Sequence, residues 1–126
     1  MANEPAAAMS RPTFHPGRNI AAKMPPGEHE RLVAFYEEVV GLPVLARHGN
    51  SVVFAFGDKR LWVDRVPTLS QGEIWLEIVA EDAAAAAAWF AAAGVGRRDE
   101  IEGLPDGFAG FWIAAPGGMI HLVSTG

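Results

Sequence analysis

"LVAFYEEVVGLPVL", residues 32–45, is the stretch on which the fold turns. Leu32, Phe35, Tyr36, Val39 and Val40 share one face of a helix that begins in the acidic stretch at Glu28. Gly41 supplies the stop, and "LPVLARHG" runs on as extended chain. The same device returns as "EDAAAAAAWFAAAG", residues 81–94: an acidic start, a run of the best helix former, two aromatics and a glycine. Trp89-Phe90 answers Phe35-Tyr36 and Gly94 answers Gly41, at an offset of roughly 54 residues.

Strand patterns surround both helices. "RNIAAKM" (18–24) precedes the first helix; "SVVFAF" (51–56) and "RLWVDRV" (60–66) follow it around the turn signal Gly57-Asp58-Lys59. "EIWLEIVA" (73–80) alternates, with Glu73, Trp75, Glu77 and Val79 on one side and Ile74, Leu76 and Ile78 on the other. After the second helix, "VGRRDEIEGLPDG" reads as a strand edge and loop, and "FWIAAPGGMIHLV" (111–123) as a strand, a turn and a closing strand. The expected layout is a tail over 1–17, a βαβββ repeat over 18–66, a polar linker over 67–72 and a second βαβββ repeat over 73–124. One such unit cannot bury both faces of its sheet. The prediction is therefore an α+β domain of two repeats, with paired curved mixed sheets around a cavity.

Composition removes several classes of function. Half of the 126 residues are hydrophobic, a fifth are charged, and the net charge is −5. No basic run offers phosphate a surface, so a nucleic-acid partner is not expected. No apolar run reaches the ~18 residues of a membrane span. Without cysteine there is no disulfide, thiolate metal site or cysteine nucleophile. "MANEPAAAMSRPTFHPG" lacks the basic-then-apolar build of a secretion signal, so a flexible tail and a cytoplasmic location are expected. No Gly-x-Ser-x-Gly elbow or phosphate loop occurs.

In "LVAFYEEVVGLPVL", in "APGGMIHLV" and in the duplicated element order, the chain resembles the vicinal oxygen chelate superfamily of glyoxalases, bleomycin-resistance proteins, fosfomycin-resistance enzymes and extradiol dioxygenases. The resemblance covers about residues 18–124. It implies a divalent metal held by His, Gln and Glu from the first and last strands of each repeat. Carried over, the first-strand histidine falls at Asn19, and the second repeat's histidine at Trp75, or at Glu73 after a shift of two. The last strand of the first repeat offers Trp62, with Asp64 two positions on, and the final carboxylate falls at His121, after a turn one residue shorter than usual. Asn, Trp, Trp and His do not make a metal site, because the indole has no lone pair to give.

The first expectation is metal-independent binding of a small planar or aromatic compound, without a cofactor. Asn19, Trp62, Asp64, Trp75, Glu77 and His121 would line the site. Asp64, Glu73 and Glu77 would favour a cation against the tryptophan faces; alternatively these carboxylates are solvated or bridged to Lys23. The tryptophans could equally fill core, and His121 could simply pack. The competing expectation is a glyoxalase-like lyase or isomerase, or a dioxygenase relative. In that reading His121 is a general base oriented by Glu77, or Zn, Ni, Mn or Fe is bound by His121, Asp64 and Glu77. A third is a pocket without a ligand, kept for dimerisation or regulation. The resemblance also implies a homodimer.

Overall fold

The computed structural model describes residues 9–126. Among these residues eight strands and two α-helices follow one another. β1 is Phe14–Pro16, β2 Asn19–Met24, and helix α1 Pro26–Ala34, continued by a π-helical turn over Phe35–Val40. β3 is Val44–His48, β4 Ser51–Phe56, β5 Lys59–Arg65 and β6 Glu73–Ala80. Helix α2 is Ala83–Ala92, β7 Gly110–Ala115 and β8 Met119–Ser124. Hydrogen bonding orders the strands β3-β4-β5-β2-β6-β8-β7, with β1 also paired to β6. The β2–β5 pair is parallel and its neighbours are antiparallel, so the architecture is α+β with a mixed sheet, as the repeats imply.

The chain divides into two units. One holds residues 18–76; the other holds 77–126 with the stretch ending at Gly17. In the first, α1 starts at a proline, suited to a position whose N–H has no helical partner, and ends where Gly41 N–H bonds the Tyr36 carbonyl at 3.0 Å. Ala22, Val52, Phe54, Leu61 and Val63 form its core; Leu32, Val33 and Tyr36 of the helical segment pack against them. Tyr36 meets the Phe54 ring at 5.7 Å between centroids.

In the second unit Asp82 caps α2, its carboxylate accepting from Ala85 N–H at 3.1 Å. Ala80, Ala86, Phe111, Ile113 and Val123 form the core, and Phe90 meets Phe111 at 6.3 Å. One aromatic of each pair, Tyr36 and Phe90, thus plays the matching part, whereas Phe35, expected on the same face as Tyr36, is exposed.

Two expectations fail. Residues 14–16, placed in a flexible tail, form β1 against Ala80, Val79 and Ile78; the start of that tail lies outside the described residues. The second unit has two strands after its helix, not three. Segment 95–109 holds glycine at 96, 103 and 107, a proline at 105 and a charge cluster at 97–100, so it lacks the β-branched alternation of a strand. A loop stands there instead. Arg98 N–H donates to the Trp112 carbonyl at 2.7 Å and Trp112 Nε1 to the Glu102 carbonyl at 2.8 Å. Arg98 also grips Glu100, and that hydrogen bond is the main reason the Glu100 carboxyl is held below its ordinary range.

Candidate functional site

The sheet of the 18–76 unit has one face under α1 and another that carries chemistry. Strand alternation assigns the residues. Ala22, Leu61 and Val63 point into the helix-side core, so Asn19, Ala21 and Lys23 of β2 and Arg60, Trp62 and Asp64 of β5 share the opposite face. Ala21 pairs with Trp62 on one side and Trp75 on the other, while Lys23 lies between Asp64 and Glu73. Ser51 stands opposite Asp64, and His48 opposite Ser51.

The side chains on this face hold one another. Trp62 Nε1 donates to Asn19 Oδ1 at 2.8 Å, and the His48 ring stacks on Trp62 with centroids 5.9 Å apart and planes 20° from parallel. Lys23 Nζ lies 2.7 Å from Asp64 Oδ2 and 4.4 Å from the Trp75 ring centroid. Ser51 Oγ donates to Asp64 Oδ1 at 2.6 Å, and Trp75 Nε1 to Glu73 Oε1 at 2.9 Å. Lys23 is 4 % exposed and Trp75 6 %, so this ion pair is shielded from water and from salt screening. Trp62 and Ala21 keep partial exposure. Between two tryptophans, Ala21 presents only a methyl group, and the row is therefore large, small, large.

Four of the expected site residues, Asn19, Trp62, Asp64 and Trp75, come together here. Asp64 does not act as an acidic wall waiting for a cation; Lys23 is that cation, carried on the chain. Sequence reading had considered Lys23 only as a bridge for carboxylates. The signal available was its even spacing with Asn19 and Ala21, which places it on the tryptophan face.

Glu77 and His121 belong to the other unit and have partners there. Glu77 Oε2 accepts from the buried Ser124 Oγ at 3.0 Å, and its backbone carbonyl accepts from Gly17 N–H at 2.8 Å. His121 pairs with Ile113 and lies two residues before Val123, both members of the core beneath α2. It therefore faces the helix side, opposite Glu77 and Ser124, and Nδ1 donates to the nearby Met119 carbonyl at 3.0 Å. The hairpin turns at Pro116–Gly118, with Gly117 and Gly118 at φ 83° and 74°. The expected His121–Glu77 base pair is not formed.

The donors also do not fit a divalent metal. Among the described residues no three His, Cys, Asp or Glu side chains gather in a way that could hold one, so the set His121, Asp64 and Glu77 is not assembled. On β2 and β5 the carboxylate of this face, Asp64, is already engaged by an ammonium and a hydroxyl. A second cation there would meet Lys23 at short range in a poorly screened setting.

Among the described residues no helix is long and apolar enough to cross a membrane. Neither a family model nor a curated protein sequence matches the chain. Solved structures do. Homoprotocatechuate 2,3-dioxygenase from Brevibacterium fuscum, in complex with 3,4-dihydroxyphenylacetate, matches at TM-score 0.64 and 18 % identity over 93 % of this chain and 38 % of that one. The enzyme of the same name from Arthrobacter globiformis gives 0.63 and 19 %, over 93 % and 38 %. The Mn(II)-bound glyoxalase from Novosphingobium aromaticivorans gives 0.56 and 22 %, over 85 % and 37 %. The chain therefore shares the fold of these dioxygenases and this glyoxalase, and it spans little more than a third of the length of these proteins.

Proposed function

We propose that the protein binds a small planar or aromatic compound without a metal, on the sheet face of residues 18–76. The observation that carries this reading is the row Trp62–Ala21–Trp75. A partly exposed indole, held by Asn19 and His48, stands beside a methyl floor and a second, buried indole. A flat ring laid over Ala21 would stack on Trp62 and displace water from apolar surface on both partners. The dioxygenase of the same fold that holds 3,4-dihydroxyphenylacetate offers a precedent for an aromatic guest. Lys23 supports the metal-free part of the reading, because it satisfies Asp64 from within the chain.

The test is quenching of tryptophan emission by a panel of aromatic compounds, with EDTA present throughout. Ala21→Leu, which fills the floor, and Trp62→Ala, which removes the wall, should each weaken binding by about tenfold or more, equivalent to about 1.4 kcal/mol. Zn, Ni, Mn and Fe(II) should leave the melting temperature unchanged, since an ion bound to the native state would raise it. Binding that requires a metal, or that survives Ala21→Leu intact, would overturn the proposal.

A further inference from the structure

We propose that Arg60 is a ligand-binding residue, and that the compound taken by this face is a planar aromatic acid. The inference rests on the aromatic-binding reading above and adds the charge of the guest. Arg60 stands two residues before Trp62 on β5, on the same face, about 6.6 Å away along the strand. In register it is the neighbour of Asn19, the residue that fixes the Trp62 indole. Arg31, Arg47 and Arg97 each hold a carboxylate, at 3.0, 2.7 and 2.9 Å. Arg60 is exposed, and among the described residues its guanidinium makes no ion pair or hydrogen bond.

The spacing suits a ring on Trp62 with a carboxylate reaching along β5. A guanidinium presents paired N–H donors that match both oxygens of such a group. A cationic guest is disfavoured for two reasons. The Trp75 ring face already carries the Lys23 ammonium, and the Asp64 charge is already neutralised by it. Sequence reading passed over Arg60 because an exposed arginine in a strand is ordinary; only its register with Asn19 and Trp62 gives it a role.

Isothermal titration with 2-naphthoate and its uncharged counterpart 2-naphthamide tests this. The wild-type protein should bind the acid at least tenfold more tightly, and added salt should weaken the acid alone. Arg60→Gln, at an exposed position and checked for unchanged circular dichroism, should bring the acid down to the level of the amide and remove the salt dependence of acid binding. Equal affinity for both compounds in the wild type, or a preference for the acid that persists in Arg60→Gln, overturns the role of Arg60 and leaves the aromatic site standing. Binding of neither compound overturns both readings together.

Discussion

Lys23 shows how much one side chain decides. An ammonium held at 4 % exposure would be unfavourable alone; the Asp64 carboxylate, the Ser51 hydroxyl behind it and the Trp75 ring together make the position tenable. Breaking such a pair from one side leaves a charge with poor solvation. Lys23→Met should therefore lower stability by about 3 kcal/mol in urea denaturation, within the range for a severed buried pair. The double variant Lys23→Met, Asp64→Asn should recover a good part of that loss. A loss in the single variant no larger than that of an ordinary surface change would show that water reaches the pair. At this scale the sequence was half legible. Asn19, Trp62 and Trp75 all came with the resemblance, and alternation along 73–80 added only the side on which Trp75 lies. The Lys23–Asp64 pair joins residues distant in sequence, and only the parallel β2–β5 register brings them opposite each other.

Among the elements, the two hairpin strands β7 and β8 teach the most about what sequence can say. "MIHLV" is apolar at both parities around His121, so hydrophobic pattern alone does not tell which face is buried. Val123 in the core fixes it. The absence of a third strand after the second helix was legible in principle, since glycine, proline and charge fill segment 95–109. β1 was not, because "FHP" has no period to read and gains its structure only by pairing with β6. Its attachment makes a prediction. A methyl group added at Gly17 would stand 2.6 Å from Glu77 Cβ, so the Glu77 side chain must move and the Ser124 bond with it. Gly17→Ala should cost about 1–2 kcal/mol, the range for a lost buried hydrogen bond, and hydrogen exchange at the Phe14 and His15 amides should quicken.

For the molecule as a whole, repetition was the feature most easily read, because two helices with matched aromatics and glycine stops recur at one spacing. What repetition hides is divergence. The first unit has three strands after its helix and carries the candidate site, while the second has two and a loop over 95–109. The surface carries a further clue. Phe35, Val39 and Val40, at the end of the first helical segment, are 47 %, 75 % and 51 % exposed, and neighbouring apolar side chains of this kind are suited to a partner. We propose a second copy of the chain. Sedimentation equilibrium should give twice the monomer mass, and Val39→Glu should shift the equilibrium towards the monomer by about tenfold or more. Monomer at every concentration would dismiss it.

The buried ammonium has one more consequence. A charge that is part of a side chain arrives with translation, one per polypeptide, and stays for the life of the molecule. Dialysis does not remove it, a competing ion does not replace it, and scarcity in the surroundings does not leave it vacant. The face that Lys23 organises is thus complete as soon as the chain has folded.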